Sequence, residues 1–488
     1  MPPSPAPLKV LFATSEIYPL VKTGGLADVS ASLPEALRTL GADVRVLLPG
    51  YPLVMKGLPT KWVAATGVFE FGEVRILSSV LPSGVPALVV DYPPLFQRDG
   101  GPYLDRHGHD WHDNAFRFGL LSRVAAILAG GQSPLDWRPD VLHCNDWQAG
   151  LAPAYLHYQP APRAATVMTL HNLAYQGIFP LGTALKLGLP PESMGMEGVE
   201  YYGEMSFLKA GLHYSDAITT VSPTYAREIQ TDALGFGLQG LLQQRREALS
   251  GILNGIDVRA WNPETDPHLA APFGVKNLKA KAENKRALQE TLGLKVNAKI
   301  PLLAVVSRLT HQKGQDLILE AAAELLKIPV QLALLGGGDK HLEQAFLGLE
   351  ESHPGQVAVH IGYNEGLAHL TEAGADIFLM PSRFEPCGLN QMYSMHYGTP
   401  PVVYATGGLA DTVVDCTPAT LADDTATGFV FHTLTADGLM EAVRRALEVF
   451  KDKKAWQQLQ QNGMKADFSW ERSAAAYLDL YRKTIRRR

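Results

Sequence analysis

The chain has little of what exported and membrane proteins need. Its 488 residues include only three cysteines, Cys144, Cys387 and Cys416, which are odd in number and far apart, so a disulfide framework is not expected. No apolar run approaches the ~20 residues that a membrane-spanning helix requires, and the N-terminal MPPSPAP has neither the apolar core nor the basic flank of a secretion signal. These absences predict a cytoplasmic protein without membrane association.

The composition also lacks a strong charge of either sign. The formal net charge is −6, which gives no reason to expect nucleic acid or an anionic membrane as a partner. Any anion site must therefore be built locally from Lys, Arg and the N-termini of helices. Hydrophobic residues make up 46% of the chain, and 488 residues are too many for one core, so two or more domains are expected.

Apolar segments alternate with helical segments through the first half of the chain. The run LKVLFAT at 8–14 is typical of a buried parallel strand, and DVRVLLP at 43–49 follows a helix predicted to begin at Leu26. Apolar residues recur at helical spacing up to Leu40, and Gly41 stands where a C-terminal cap belongs. Further strand-like runs are ALVVDY, DVLHCND, ATVMTLHN and DAITTVS. This rhythm predicts a parallel, doubly wound sheet with helices on both faces.

The rhythm breaks once and then restarts. The stretch 251–267 is rich in Gly, Asn and Pro, and strand-like runs resume at Ile300 with IPLLAVVSRL and end with TPPVVYAT. The sequence thus predicts two Rossmann-like α/β domains that face a deep cleft. The predicted boundaries are 1–253 for the first domain, completed by a C-terminal helix at 466–488, 254–262 for a linker, and 263–465 for the second domain.

The turn PSRFEPCGLNQ follows the strand-like run ADIFLM, at the edge where α/β sheets bind ligands. It contains Glu385, whose carboxylate can bind the hydroxyls of a sugar. Cys387, Gly388 and Leu389 then lead into a predicted helix, whose free N–H groups can bind a phosphate. This turn predicts a site for a phosphorylated sugar.

Two other loops combine cations with the start of a helix. In KTGGLAD, Lys22 can reach a ligand while Gly24 and Gly25 leave N–H groups exposed, and a tight turn with a solvated lysine is the competing interpretation. In SRLTHQKG, Arg308 and Lys313 leave a buried strand just before a helix, which suits a diphosphate leaving group. Two surface cations beside a loop are the alternative there.

Backbone groups, and not a metal ion, are expected to neutralise the rest of the diphosphate. The segment YATGGLADT repeats the GGLAD motif, so Gly407 and Gly408 can offer N–H groups to the phosphates. No Asp-x-Asp pair, a common carboxylate arrangement for Mg²⁺ in nucleotide-sugar enzymes, stands on a strand-end loop. The His107, His109 and His112 set has no cysteine or helix beside it and is interpreted as a polar loop, with a zinc site as the alternative. We expect metal-independent chemistry without a cofactor.

Two more strand ends carry groups suited to sugars. His171 and Asn172 follow the run ATVMTL, where an imidazole can bind a sugar hydroxyl, although a lone strand-end histidine is more often structural. Asp146 ends the run DVLHCND and Trp147 follows it, and an acid beside an aromatic ring is a common way to bind carbohydrate. These loops predict a second, carbohydrate-binding part of the site.

Six ordered motifs together resemble bacterial glycogen synthases and plant starch synthases: SEIYPLVKTGGLADV, HNLAYQG, NGID, SRLTHQKG, PSRFEPCGL and TGGLADT. The resemblance extends from Leu8 to the C-terminal helix and is closer to the bacterial enzymes, because no long N-terminal extension is present. It implies a GT-B fold and transfer of glucose from ADP-glucose to the 4-hydroxyl at the non-reducing end of an α-1,4-glucan such as glycogen. The implied transfer retains the anomeric configuration.

The resemblance and the loop chemistry together imply three groups of site residues. The catalytic groups are Glu385, His171, Lys313, Arg308 and Lys22. The donor-binding residues are Lys22, Gly25, Asn254, Arg308, Lys313, Tyr363, Glu385, Cys387, Gly388, Leu389, Gly407 and Gly408, with Tyr363 expected to stack on the adenine. The acceptor-binding residues are Glu16, Tyr103, Asp146, Trp147 and Asn172. No residue is assigned to a metal.

Several alternatives stay open. Retaining GT-B enzymes often carry a second Glu eight positions after the first, but Tyr393 stands there in this chain, as in the glycogen synthase branch, so the ribose-binding group is unassigned. The motifs define the diphosphate-glucose site better than the base, so UDP-glucose is the alternative donor. A glucan phosphorylase shares the fold but needs a lysine-bound pyridoxal phosphate. A catalytically silent glucan-binding protein would need only the acceptor side and has no use for the diphosphate cations.

Overall fold

The computed structural model describes residues 6–68 and 71–487, which form two compact units. The first unit comprises the residues up to Gly255 together with those from Trp470 onward, and the second comprises Ile256–Ser469. From Ile256 on, the segment expected as a linker therefore belongs to the second unit. Residues 1–5 of the N-terminal tail and Arg488 of the expected C-terminal helix lie outside the described residues.

Twelve strands of the first unit lie within the residues that the structure describes. They are β1 (Lys9–Ala13), β2 (Asp43–Pro49), β3 (Lys61–Val68), β4 (Gly72–Val80), β5 (Pro86–Asp91), β6 (Val141–Asn145), β7 (Ala165–Leu170), β8 (Ile178–Pro180), β9 (Glu200–Tyr201), β10 (Glu204–Ser206), β11 (Ala217–Thr220) and β12 (Leu249–Gly251). Nine of them form one sheet in the order β12-β11-β7-β6-β1-β2-β5-β4-β3, parallel except that β4 runs antiparallel to β3 and β5. The other three form a small antiparallel sheet in the order β8-β10-β9.

Helices pack against this sheet and contribute to the same hydrophobic core. They are α1 (Gly25–Thr39), α2 (Pro52–Gly57), α3 (Pro93–Phe96), α4 (Asn114–Ala129), α5 (Ala152–His157), α6 (Thr183–Lys186), α7 (Phe207–Tyr214), α8 (Pro223–Glu228) and α9 (Gln239–Gln244). Helix α1 begins one residue before the predicted start, and Gly41, two residues after its end, has φ 91°. Glycine adopts that left-handed conformation without strain, so Gly41 ends the helix as expected.

The second unit contains a six-stranded, fully parallel sheet. Its strands are β13 (Leu302–Val306), β14 (Gln331–Gly336), β15 (Val357–Ile361), β16 (Ile377–Met380), β17 (Pro401–Tyr404) and β18 (Phe429–Phe431), in the order β15-β14-β13-β16-β17-β18. Its helices are α10 (Lys281–Thr291), α11 (Gln315–Leu325), α12 (Lys340–Ser352), α13 (Glu365–Gly374), α14 (Asn390–His396), α15 (Gly407–Thr412), α16 (Pro418–Ala422), α17 (Ala436–Lys451) and α18 (Lys453–Lys465).

The last helix, α19 (Trp470–Arg486), returns to the first unit. Its residues Trp470, Tyr477 and Tyr481 are buried in the core of that unit. The Tyr481 hydroxyl lies 2.7 Å from Nδ1 of His143, a fully buried residue of β6. The C-terminal segment is therefore part of the first core.

Strand order determines where a ligand can bind in each unit. In the first sheet β1 lies between β2 and β6, and in the second β13 lies between β14 and β16, so the chain changes direction across the sheet at these strands. In doubly wound sheets the crevice outside the carboxyl ends of the strands at such a switch point is the usual ligand site. The loops after β1, β6, β13 and β16 are therefore the expected ligand-binding loops.

Candidate active site

The loop after β16 places a buried carboxylate against a lysine from the loop after β13. Glu385 Oε2 accepts a hydrogen bond from Lys313 Nζ at 2.6 Å and another from Ser382 Oγ at 3.0 Å. The Glu385 side chain is 7% exposed and that of Lys313 is 18% exposed. Because little water reaches the pair, each charge holds the other in place. Two residues that were singled out in separate motifs therefore meet at the switch point.

Arg383 ties these two loops together, although the sequence analysis did not single it out. Its guanidinium donates to both carboxylate oxygens of Asp316, at 2.7 and 2.6 Å, and to the carbonyl of His311 at 2.9 Å. A bidentate pair of this kind fixes direction as well as distance. The arginine inside PSRFEP and the acid just after SRLTHQKG were the available signals, but only the fold shows that they pair.

The positively charged side chain of Arg308 lies on the loop after β13. Its side chain is exposed, and within residues 6–68 and 71–487 its guanidinium has no hydrogen-bond or ion-pair partner. Its carbonyl accepts a hydrogen bond from Gln315 Nε2 at 2.9 Å, which fixes the backbone. The guanidinium is therefore available for an anionic ligand.

Helix α15 lies so close to the Glu385 loop that a residue with a Cβ would not fit at Gly407 or Gly408. The Gly408 N–H donates to the Glu385 carbonyl at 3.0 Å. A Cβ on Gly407, which has φ 44°, would overlap that same carbonyl, and a Cβ on Gly408 would overlap the Cys387 carbonyl. The structure thus gives both glycines a packing role. Their predicted contact with a diphosphate stays a prediction.

We expect Gly407→Ala to lower the free energy of unfolding by about 2–3 kcal/mol, because a left-handed alanine is strained and its methyl group would push against backbone. Gly348→Ala is the matched control, since Gly348 lies in the exposed middle of α12 with nothing within 4 Å of an added Cβ. There alanine should stabilise by up to about 1 kcal/mol. Urea denaturation of both variants measures the difference, and two equal effects would contradict the packing argument.

The remaining residues expected at the donor belong to both units. Cys387 is buried, Gly388 has φ 73°, and Leu389 directly precedes α14. Tyr363 follows β15 and is 70% exposed. Asn254, in the first unit, is buried, and its Oδ1 has no hydrogen-bond partner among the residues that the structure describes.

Position 393, where a second carboxylate was considered, is part of an aromatic stack. Tyr393 lies 3.9 Å from the Trp261 ring and nearly parallel to it, and His369 stacks on the other face of Trp261 at 3.7 Å. Asp266 Oδ2 accepts hydrogen bonds from His369 Nδ1 at 2.6 Å and from the Tyr397 hydroxyl at 2.5 Å. His369 on α13 and Tyr393 on α14 thus both stack on Trp261, and these contacts attach the first segment of the second unit to the two helices.

In the first unit, the loops after β6 and β7 join at an aspartate and a histidine. The His171 N–H donates to Asp146 Oδ1 at 2.7 Å, and Asp146 itself has φ 55°, which aspartate tolerates. His171 Nε2 lies 3.0 Å from Oδ1 of Asn145, whose Nδ2 donates to the Ala13 carbonyl at 3.1 Å. Asn145 therefore orients the imidazole, a role that the sequence analysis missed.

The protonation state of His171 follows from this setting. Burial lowers the pKa of His171 to about 3, so the imidazole is neutral at neutral pH. Since the Asn145 amide oxygen faces Nε2, the ring carries its proton there and leaves Nδ1 as an acceptor. The histidine can therefore accept a hydrogen bond from a hydroxyl group.

Asp146→Asn is expected to change the pH dependence of stability. Burial raises the pKa of Asp146 from 3.8 to about 7, against the N–H groups of His171 and Asn172, which lower it. Between these values the folded chain holds a proton that the unfolded chain has lost, so the free energy of unfolding falls as pH rises through this window. Relative to the variant, the wild type should lose stability between about pH 4 and about pH 7. Urea denaturation across that range is the measurement, and parallel curves would contradict the shift.

The Glu16 carboxylate accepts hydrogen bonds from backbone N–H groups of the KTGG loop. Its Oε2 accepts from the N–H of Thr23 at 2.5 Å and of Gly24 at 3.2 Å, and its Oε1 accepts from the Tyr103 hydroxyl at 2.5 Å. Glu16 is buried, so its carboxylate is used within the protein. Lys22 in the same loop pairs with Asp28 Oδ1 at 2.8 Å. Acceptor binding by Glu16 and Tyr103 stays a prediction, beside this observed positioning role.

Gly25 is the first residue of α1, and the other two candidates in the first unit, Trp147 and Asn172, make contacts within the protein. The Trp147 ring meets Phe118 at 4.9 Å and Phe207 at 6.0 Å, both edge-on, so it belongs to an aromatic cluster as well as to the loop. Asn172 Oδ1 accepts from the Ala174 N–H at 3.0 Å, which closes a turn. Their contact with a glucan is not tested by these positions.

Neither metal-binding clusters nor spanning helices are found in the described part of the chain. Across residues 6–68 and 71–487, no group of three or more His, Cys, Asp and Glu side chains is placed to hold a metal ion. The carboxylate of Asp105 accepts from the N–H groups of His107 and His109, at 2.8 and 3.1 Å, which makes this histidine loop a turn. Over the same residues, no helix has the length and apolar character to cross a membrane.

Comparison with known proteins identifies the family of this chain. Residues 9–244 match the starch synthase catalytic domain, and residues 293–465 match the glycosyl transferases group 1 family. The glycogen synthase of Nitrosomonas eutropha is 57% identical, and that of Aromatoleum aromaticum is 58% identical, each over 98% of this chain and 97% of the relative. The chain belongs to the glycogen synthase family.

A solved structure agrees with this assignment. The catalytic domain of starch synthase IV from Arabidopsis thaliana, bound to ADP and acarbose, superimposes with a TM-score of 0.88 at 33% identity, covering 98% of this chain and 100% of that one. The protein is therefore a glycosyltransferase of the glycogen synthase family with the two-domain GT-B fold. The predictions of family, fold and enzyme class are confirmed.

Proposed function

We propose that this protein extends an α-1,4-glucan by transferring glucose from ADP-glucose to the 4-hydroxyl at the non-reducing end, with retention of configuration. The observation that best supports the proposal is the buried Lys313–Glu385 pair, with Nζ and Oε2 2.6 Å apart, at the switch point of the second sheet. Relatives of this chain are glycogen synthases, and the similar domain of starch synthase IV is bound to ADP and acarbose.

In this proposal the loops of the second unit bind the donor. Glu385 accepts hydrogen bonds from the glucose hydroxyls, and Arg308 and Lys313 neutralise the diphosphate as negative charge builds up on it. The exposed ring of Tyr363 stacks on the adenine. Neither a metal ion nor a cofactor is required, because two cations on one loop supply the positive charge.

The loops of the first unit act at the sugar and the acceptor. The neutral imidazole of His171 accepts a hydrogen bond from a sugar hydroxyl at Nδ1, and the His171 carbonyl faces the positive charge that develops at the anomeric carbon. Lys22 leaves Asp28 for the donor phosphates. Asp146, with its raised pKa, binds an acceptor hydroxyl.

The reaction proceeds by displacement on one face of the sugar. The bond between the anomeric carbon and the phosphate oxygen breaks, and the acceptor O4 forms its bond on the same face. The O4 proton passes to the departing phosphate oxygen, which yields ADP. Glu385 is already paired with Lys313 and Ser382, so it serves as a hydroxyl acceptor and not as a nucleophile.

The test is to incubate the purified protein with a glycogen primer and either ADP-glucose or UDP-glucose, with EDTA present, and to measure nucleoside diphosphate release and polymer growth. Growth from ADP-glucose despite EDTA supports the reaction, the donor and the metal independence. Growth from UDP-glucose alone would overturn the choice of base. Growth from neither donor, with glycogen still bound, would favour a silent glucan-binding protein.

A further inference from the structure

Two aromatic residues of the first unit adopt a backbone conformation that is unfavourable for them. Four non-glycine residues in the described part of the chain have positive φ, and two of these are aspartates, which tolerate it. The other two are Tyr202 at 49° and Phe236 at 46°. Each is followed by a left-handed glycine, Gly203 at 86° and Gly237 at 80°, so the same aromatic-glycine turn occurs twice.

Tyr202 stands where the turn itself favours another residue. Tyr202 and Gly203 connect β9 to β10 in a two-residue hairpin, and positive φ at both positions is the signature of a type I′ turn. Asn-Gly is the preferred pair in such a turn. The Tyr202 side chain is 77% exposed, so burial of its ring does not offset the strain. An exposed, strained tyrosine indicates a role in binding.

The two turns pack against each other. The Tyr201 hydroxyl donates to the Phe236 carbonyl at 2.6 Å, and the Tyr201 and Tyr202 rings meet edge-on with centroids 4.8 Å apart. A Cβ on Gly237 would lie 3.0 Å from Cε2 of Tyr202, so the Tyr202 ring rests beside that glycine. The Tyr201 and Tyr202 rings and the backbone of the Phe236–Gly237 turn therefore form one surface, called here the aromatic platform.

The aromatic platform is continuous with the loop that carries His171. Gln176 Nε2 donates to the Phe236 carbonyl at 2.9 Å, and Gln176 is in the segment that follows His171. Five residues span at most about 18 Å even when fully extended. A chain of a few glucose units can therefore reach from the His171 loop to the aromatic platform.

We propose that the aromatic platform binds an α-1,4-glucan chain a few glucose units away from its reacting end. The inference rests on the proposed function, because a polymer acceptor extends well beyond the site of transfer. Ring faces match the apolar C–H faces of glucose, and tyrosine hydroxyls can pair with sugar hydroxyls. These uncharged groups suit a neutral polysaccharide.

Tyr202→Asn tests the aromatic platform without disturbing the turn, since asparagine is favoured at that position. In native gels that contain glycogen but no donor, we expect the dissociation constant to rise about five- to tenfold. Thermal stability should be retained or raised, because asparagine relieves the strain of the turn. The KM for glycogen should rise similarly, while kcat with a short malto-oligosaccharide stays the same. Trp62→Ala is the control, because Trp62 is a 60% exposed aromatic on β3, outside the aromatic platform, and it should leave both values unchanged.

Binding without donor keeps this proposal separable from the proposed function. If the wild type transfers no glucose but Tyr202→Asn still weakens glycogen binding, the aromatic platform stands and the proposed reaction fails. If transfer is normal and the variant binds glycogen as the wild type does, the aromatic platform is overturned. A change in oligomeric state by size-exclusion chromatography without loss of glycogen affinity would also overturn it, in favour of a contact between protein chains.

Discussion

Glu385→Gln is expected to lower kcat by about a hundred- to thousandfold or more, with little change in fold. The amide keeps the size of the side chain but loses the negative charge that pairs with Lys313 Nζ at 2.6 Å. The glucose hydroxyls then lose a charged acceptor, and Lys313 is no longer held in position. Initial rates with saturating ADP-glucose and glycogen measure the loss, and circular dichroism checks the fold.

Ser382→Ala is the matched control for this variant. It removes the second donor to the same Glu385 oxygen, at 3.0 Å, but leaves the charge and the lysine pair in place. We therefore expect at most about a tenfold loss, in line with one neutral hydrogen bond. If Glu385→Gln retained kcat within tenfold of the wild type, Glu385 would not be the group that binds the transferred glucose.

Arg308→Ala should lower kcat/KM for ADP-glucose by about a hundred- to thousandfold, since removal of one preorganised charge stabiliser commonly has that effect. Its guanidinium has no partner within residues 6–68 and 71–487, so nothing in the folded chain loses a bond and stability should not change. Calorimetric titration with ADP adds a readout that does not depend on turnover. There the variant should bind more weakly.

Arg286→Ala serves as the control for Arg308. Arg286 lies on α10 of the same unit and has an exposed side chain, and among the described residues it pairs only with the exposed Glu283 and Glu290. Surface pairs of this kind contribute about 0–1 kcal/mol, and we expect neither activity nor ADP affinity to change. Unaltered ADP affinity in Arg308→Ala would remove Arg308 from the diphosphate site.

The strands were predictable where both faces of a sheet are covered. The runs at β1 and β13 are buried along nearly their whole length, so apolar residues follow one another without a break. The edge pair β3 and β4 escaped prediction, because Trp62 and Val63 are exposed and the exposure pattern of the pair is irregular. The three-residue strand β18 is too short for a period to be recognised.

Residue types at strand ends indicated part of the candidate site, and partners from distant loops supplied the rest. Glu385, Lys313 and Arg308 were identifiable because charged groups next to buried strands are unusual. Arg383 and Asn145 were not, because each matters through a partner that only the fold brings close: Asp316 for the first and His171 for the second.

The amino-acid sequence alone was enough to predict two α/β units and membership of the glycogen synthase family, and to show which loops carry cations, carboxylates and glycines. Those features depend on local periodicity and on the order of motifs, and both can be read directly from the sequence. Which groups meet could be seen only in the folded chain, because hydrogen bonds and close packing depend on distances between loops far apart in sequence. In the folded chain, Lys313 pairs with Glu385, the Glu16 carboxylate accepts hydrogen bonds from the KTGG backbone, and Tyr202 lies beside Gly237.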